Sequence, residues 1–286
     1  MTSPSELSVD AIVVSHNTVG LLRRCLQTLS DSRHAIRRVF VVDNASLDGS
    51  ADMVTAEFPD VVLLRMPQNV GFARANNAAF EHTDADAILF LNSDAELSPE
   101  AVGALASELT ADHHVAVAGP MLLGDDGRVQ YEGGRRDPSI IGEFGNISHL
   151  NVRLPRSPFG RYLMTDWDHR STRDVEVLSG ACMLVRASAL EGRLFRDDFF
   201  MYGEDVELCQ RLRAKGWRMR YVASSEVLHH GAGSSRSVRT RMRVAGVASM
   251  AQLIYRNSGL CHAAAYLAMV PIAWPLGWII RRVRPL

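Results

Sequence analysis

Over roughly the first hundred residues, apolar runs and polar junctions follow one another in regular blocks. Val9–Val14 is a largely apolar run closed by Ser15-His16-Asn17, and it reads as a first strand. Leu22, Leu26 and Leu29 share one face of a helix expected over Leu21–Ser30. Val39–Val42 is a second strand, ending in Asp43-Asn44-Ala45-Ser46. Asp48-Gly49-Ser50 predicts a turn, with Ser50 capping a helix that carries Met53, Val54 and Phe58. Val61–Arg65 is a third strand, Asn69-Val70-Gly71-Phe72 a loop, Ala73–Phe80 a helix and Ala87–Leu91 a fourth, fully apolar strand. Strands that alternate with helices imply right-handed crossovers and a parallel sheet.

Open sheets of this kind bind ligands at the carboxyl ends of their strands. Those ends carry Ser15, Asn17, Asp43, Asn44 and the tripeptide Asn92-Ser93-Asp94, and the third connection adds Asn69 and Arg74. Any one of them is an ordinary turn residue. Several strand ends converging on amides and carboxylates suit a nucleotide better than capping alone. Asn92 and Asp94 could also hold a hard divalent cation through oxygen. No GxGxxG follows the first strand, which disfavours a dinucleotide-dependent dehydrogenase.

Farther along, Val115–Leu122 is strand-like, with Gly119-Pro120 ending the apolar run, and Asp125-Asp126-Gly127-Arg128 signals a hairpin turn. The basic tract Gly133-Gly134-Arg135-Arg136-Asp137-Pro138 leads into Ser139–Asp168, which reads as a mobile region near the acceptor side. Val175–Val185 returns to strand character around Ser179-Gly180-Ala181. The run Phe199-Phe200-Met201-Tyr202-Gly203 reads as a pocket wall ahead of a helix ending near Lys215 and Gly216. Asp205 lies on the apolar side of that helix with Leu208, Cys209 and Leu212, so it should face inward. Helix-dipole compensation accounts for Glu204 and Glu207. A partly buried Asp205 would suit a general base. His229-His230-Gly231 follows extended Arg220–Val222 and Glu226–Leu228, where a glycine turn allows close backbone approach to phosphates.

The chain has 286 residues, 47% of them hydrophobic, and a net charge of -1. That balance argues against nucleic-acid binding through charge. Cys25, Cys182, Cys209 and Cys261 show no zinc or redox spacing, which points to a reducing compartment. Met1–Ser8 is polar and short, so a cytoplasmic catalytic part is expected. Arg236, Arg239, Arg241 and Arg243 cluster late. Leu260–Ile280 is apolar and long enough to span a bilayer, yet Pro271, Pro275 and His262 disfavour a straight span. With Arg281, Arg282 and Arg284 directly after it, attachment to the cytoplasmic membrane surface is the favoured reading over a hairpin packed on the domain. The domains expected are 1–249, catalytic, and 250–286, a helical and membrane-associating tail; a homo-oligomer is left open.

Val41-Val42-Asp43-Asn44-Ala45-Ser46-Leu47-Asp48-Gly49-Ser50 resembles the signature of the family 2 inverting glycosyltransferases. Asn69–Asn77 is similar to that family's second block, and Leu91-Asn92-Ser93-Asp94 to the variant DxD motif of its rhamnosyltransferase-like branch, with Asn for the first Asp. The resemblance covers about Val9 to Ser235. It implies an α/β, GT-A, Rossmann-like and mostly parallel sheet flanked by helices, followed by the apolar helical tail. It also implies a nucleotide-diphosphate sugar donor, with dTDP-rhamnose preferred, and a glycan or lipid-linked glycan acceptor. Asp43 would bind the pyrimidine base, and Ser15, Asn17, Asn44, Asn69, Gly71, Arg74, Asn92, Ser93 and Gly180 would line the donor. Asp94 and His229, or His230 in its place, would hold a divalent cation, Mn²⁺ or Mg²⁺. Asp205 would be the base, supported by Glu204. A sugar nucleotidyltransferase would need a basic glycine-rich loop that Ser15–Gly20 lacks, and a catalytically silent binding or scaffold protein is the rival of another class.

Overall fold

The computed structural model describes residues 7–231 and 236–283, and side chains for all of these except 236–242 and 283. The first half follows the expected alternation: β1 (Val9–Ser15), α1 (Val19–Ser30), β2 (Ile36–Asp43), α2 (Ser50–Glu57), β3 (Val62–Arg65), α3 (Phe72–Phe80) and β4 (Ala87–Asn92). β1, β2, β3 and β4 are all parallel, in the order β3-β2-β1-β4. Register places Ser15 opposite Asp43, and Val14 opposite Asn92, so three polar strand ends lie in one row. Ser50 does not cap α2. Gly49 takes the cap position at φ 84°, and Asp48 Oδ1 accepts from the Ser50 amide at 3.1 Å.

Side chains alternate along each strand and divide the core into two layers. Ile12, Phe40, Val42, Ile88 and Phe90 face α3 and the later helix that carries Val206, Leu208 and Leu212. Ala11, Val13, Val41, Leu89 and Leu91 face α1, α2 and α4 (Ala101–Ala111).

Beyond β4 the sheet becomes mixed. β5 (Ala95–Leu97) and β6 (Val115–Leu123) are followed by the short β7 (Gly134–Arg135), then α5 (Ile140–Ser148) and α6 (Leu150–Arg153). β8 (Arg173–Val175), β9 (Val177–Leu178) and β10 (Cys182–Arg186) come next, then α7 (Ala187–Leu190), α8 (Glu204–Ala214) and β11 (Arg218–His229). β10 inserts antiparallel between β4 and β6. β6 runs straight through Gly119-Pro120, and Gly119 sits against Leu178, where a Cβ would meet the side chain at 2.7 Å. The two expected extended pieces after α8 are one strand, β11, with a register irregularity between Val222 and Glu226. That irregularity lets its first half pair with β8 and its second half with β5.

Ser139–Asp168 is not a mobile loop. Ser139 caps α5 by accepting from the Gly142 amide at 3.1 Å, and Tyr162, Leu163 and Met164 are buried. The physical reason lies at the far end of the chain. α9 (Arg236–Ser258) and α10 (Leu260–Val283) form a hairpin, and Tyr266, Val270 and Ala273 pack on Phe144 and Ile147 of α5. Position 249 falls inside α9.

Candidate active site

The carboxyl-end edge of β1, β2 and β4 is stitched by neutral groups. Asn17, at φ 55°, donates its amide to Ser46 Oγ at 3.0 Å and accepts from the Leu47 amide at 2.7 Å. Ser15, Thr18 and Ser93 form a hydroxyl chain with 2.9 Å steps. Asn44 Nδ2 donates to Asn69 Oδ1 at 3.0 Å, and Asn44 Oδ1 accepts from the Val70 amide at 2.9 Å. Gly71 has φ 85°, and a Cβ there would lie 2.4 Å from the Phe200 carbonyl oxygen, so the site requires glycine. Arg74 donates to the Asp197 carbonyl at 3.0 Å, tying α3 to the loop before α8. Asp43 differs from its neighbours. Its Oδ2 accepts from the Ser46 amide at 3.2 Å, whereas its Oδ1 is buried and has no partner among the described residues. Such an acceptor suits an incoming N–H.

Pairing of β5 with β11 sets His229 opposite Ala95 and brings His229 Nε2 to 3.5 Å from Asp94 Oδ1. Gln130 donates to the His229 carbonyl at 2.7 Å, which aims Gln130 Oε1 at His229 Nδ1, 2.8 Å away. His229 therefore donates from Nδ1 and turns Nε2 toward Asp94. An imidazole nitrogen facing a carboxylate, with the other ring nitrogen held by a partner, is a donor set that suits a cation. His230 is engaged elsewhere, with Nε2 2.7 Å from Glu96 and Nδ1 on Asp125. Burial lowers His230, but those two carboxylates outweigh it and raise its pKa. Among the described residues no cluster of three or more His, Cys, Asp or Glu is gathered for a metal, so oxygens of substrate or water would complete the shell.

A cleft of about 550 Å³ is lined by Asn92, Asp94, Gly180, Glu204, Asp205 and His229, among others. Asp205 is buried at the start of α8. Its Oδ2 accepts from Arg135 Nη2 at 2.7 Å and from the Gly180 amide at 3.2 Å, and Oδ1 accepts from the Val206 amide at 2.8 Å. Burial works against the Arg135 charge, but Asp205 outweighs it, so the guanidinium stays protonated. Glu204 Oε2 is buried without a partner among the described residues. Burial, reinforced by the Asp205 charge, raises its pKa and keeps a proton on it. Glu143 lies behind, hydrogen-bonded to Tyr162, and burial raises it to about 7. The aromatic wall is smaller than expected. Phe199 is in the core and Phe200 is 55% exposed, leaving Met201, Tyr202 and Gly203 in the cleft.

The family model of glycosyl transferase family 2 matches residues 10–193. An N-acetylglucosaminyl-diphospho-decaprenol L-rhamnosyltransferase of Mycobacterium tuberculosis is 33% identical over 237 residues, 78% of this chain and 76% of its own. The chain belongs to glycosyl transferase family 2. An O-antigen biosynthesis protein, RfbC, of Myxococcus xanthus is 29% identical over 80% of this chain and 18% of its own length. The mannosyltransferase PcManGT of Pyrobaculum calidifontis, solved in complex with GDP-Man and Mn²⁺, matches with TM-score 0.62 at 18% identity, over 98% of this chain and 76% of that one. This glycosyltransferase thus has the GT-A-like α/β fold and stands in the rhamnosyltransferase-like branch.

Among the residues of the glycosyltransferase cleft that are absent from the candidates read in the sequence are Arg135, Glu143 and Tyr162. The available signal was Gly133-Gly134. A Cβ on Gly134 would lie 2.6 Å from the Tyr221 ring, and that close approach seats β7 against β9 and delivers Arg135 to Asp205. Of the candidates, Asn92, Asp94, Gly180, Glu204, Asp205 and His229 share the cleft, whereas Ser15, Asn17, Asp43, Asn44, Asn69, Gly71, Arg74 and Ser93 lie outside its lining.

Proposed function

We propose that this glycosyltransferase transfers rhamnose from dTDP-rhamnose, with inversion, to a hydroxyl of a lipid-linked glycan. The observation that carries the reading is that Asp205 and the Asp94–His229 pair line one cleft. Asp43 Oδ1, a buried acceptor, would take the N3–H of the pyrimidine base. Asp94 and His229 would hold a divalent cation, Mn²⁺ or Mg²⁺, which supplies charge neutralisation for the departing diphosphate. Asp205 accepts the proton of the acceptor hydroxyl as its oxygen attacks the anomeric carbon, and the bond to the diphosphate breaks with its electron pair leaving on the nucleotide. Arg135 and the Gly180 amide hold the carboxylate in place, and protonated Glu204 has a hydrogen to donate into the cleft. Rhamnose as the sugar rests on the mycobacterial relative and on the Asn92-Ser93-Asp94 motif, since nothing in the cleft reads a sugar directly.

The acceptor's lipid accounts for the tail. Leu260–Arg282 is long and apolar enough to cross a bilayer. However, Ala263, Tyr266, Val270, Ala273 and Gly277 spread its buried face along the whole helix. Standing it across a membrane would strip that face from α5 and α9. Leu267, Ile272, Trp274, Trp278 and Ile279 are exposed on the other side, followed by exposed Arg281 and Arg282. This is the form of a helix lying in the membrane surface, on the cytoplasmic face in our reading. Cys25, Cys182 and Cys209, buried free thiols, are in keeping with a reducing compartment.

Calorimetry with dTDP-rhamnose, UDP-glucose, UDP-galactose and UDP-N-acetylglucosamine, each with Mn²⁺, Mg²⁺ or chelator, tests the donor. Cation-dependent binding of dTDP-rhamnose that is lost in Asp94→Ala is expected. Preference for a UDP-sugar would replace the donor, and no binding by folded protein would favour the silent scaffold.

A further inference from the structure

The catalytic groups occupy only one part of the cleft. Toward its other end the wall is formed by Arg243, Val247 and Met250 of α9, Tyr266 and Trp274 of α10, and Asn146 and Ile147 of α5. The chain leaves α5 through His149, which stands in the left-handed region at φ 60°. α10 presses directly on this corner. A Cβ on Gly277 would lie 2.5 Å from the Ile147 carbonyl oxygen and 3.2 Å from the His149 ring. Arg281 follows Gly277 by one helical turn and so rises from the same face, over His149. Arg243 comes to the corner from α9. Burial lowers the His149 pKa, and the charges of Arg281 and Arg243 lower it further. Among the described residues neither arginine is in an ion pair. Arg243 stands in the cleft wall, with His149 and Arg281 beside it next to Ile147; like charges so placed repel one another unless an anion joins them.

We propose that Arg243, Arg281 and His149 form an anion site for the diphosphate that joins the acceptor sugar to its lipid. This rests on the lipid-linked acceptor proposed above and adds to it the group that is recognised and the residues that recognise it. The site orders the acceptor in a line. The lipid lies along the exposed apolar face of α10, the diphosphate sits at the arginines, and the sugar reaches through the cleft toward Asp205. Guanidinium forks favour phosphate oxygens through paired hydrogen bonds, and Trp274 supplies an apolar neighbour for the first part of the lipid chain.

The test titrates the full-length protein with farnesyl diphosphate, farnesol and inorganic pyrophosphate in chelator, so that no cation at Asp94 and His229 can hold the phosphates. Trp fluorescence or calorimetry reads the binding. Farnesyl diphosphate should bind more tightly than farnesol, pyrophosphate should compete with it, and Arg243→Gln/Arg281→Gln should weaken it by about tenfold or more. Farnesol affinity, the unfolding midpoint and dTDP-rhamnose affinity should be unchanged in the same variant. Equal farnesyl diphosphate binding in the variant and the parent would overturn the site. So would parallel loss for farnesol, which would make the arginines supports of the apolar wall. Vesicles of phosphatidylglycerol and phosphatidylcholine separate the other source of phosphate: loss confined to vesicles, with farnesyl diphosphate unaffected, assigns the arginines to the leaflet and overturns the proposal. Because no sugar nucleotide enters the lipid titrations, their result stands apart from the fate of the donor assignment.

Discussion

In this enzyme the edge we propose for the donor and the side we propose for the acceptor are held together by opposite means. At the donor edge, Asn17, Asn44, Asn69 and Ser46 join neighbouring loops through neutral amides and hydroxyls, mostly to backbone. At the acceptor side, Asp205, Arg135, Glu204, Glu143 and Tyr162 meet in the interior, carried there by α8, β7, α5 and the segment after α6. Neutral bonds of the first kind are worth about 1 kcal/mol each. A buried ion pair is held in a balance of large terms, in which removing one partner strands the other. On the proposed function, the enzyme would thus keep a forgiving cradle for the nucleotide and an exacting, electrically loaded chamber for the acceptor.

The largest effect should come from Asp205→Asn. Turnover is expected to fall about 10³-fold, with donor affinity by calorimetry unchanged. Equal loss of donor binding would merge the two regions that the comparison separates. Next is Arg135→Gln, which leaves Asp205 buried without its counter-charge and should cost about 3–5 kcal/mol in denaturant unfolding. Asn44→Ala, its counterpart at the donor edge, should cost about 1–3 kcal/mol. If the two costs were equal, the contrast in construction would fail.

His229→Ala removes one donor of the cation site and should lower cation affinity about 10–100-fold, read as the Mn²⁺ concentration for half-maximal turnover. His230→Ala, whose ring lies on Glu96 and Asp125, should leave that concentration unchanged. The smallest effect is the pH dependence of stability. Glu204 and Glu143 titrate above their unfolded values, so the folded chain holds more protons than the unfolded one between the two. Stability should thus fall as pH rises from about 5 to about 8, and Glu204→Gln should flatten that fall in thermal melts. An unchanged slope would mean that Glu204 is ionised in the folded enzyme.

The parallel half of the sheet was legible because each strand is written as a local apolar run with its polar end attached. β1 to β4 fell within a few residues of their expected bounds, and the inward face of Asp205 followed from helical spacing. Arg135 was not legible. It precedes a segment with weak periodicity, which looks like loop until α10, more than a hundred residues later, packs on α5. The pocket wall failed for a related reason. Four successive aromatic and apolar residues look alike in sequence, yet the turn before α8 sends Phe199 into the core and Phe200 outward.

By itself, then, the sequence determined the alternation of strands and helices, the polar row at the strand ends and the family motifs. All of these depend on contacts among residues close along the chain. The tertiary structure alone decided that β11 would set His229 on Asp94, that β7 would bring Arg135 to Asp205, and that α10 would lie along α5 and press Gly277 on Ile147 and His149. Those are meetings of distant segments, fixed by which apolar faces bury one another, and no local pattern encodes a partner that far away.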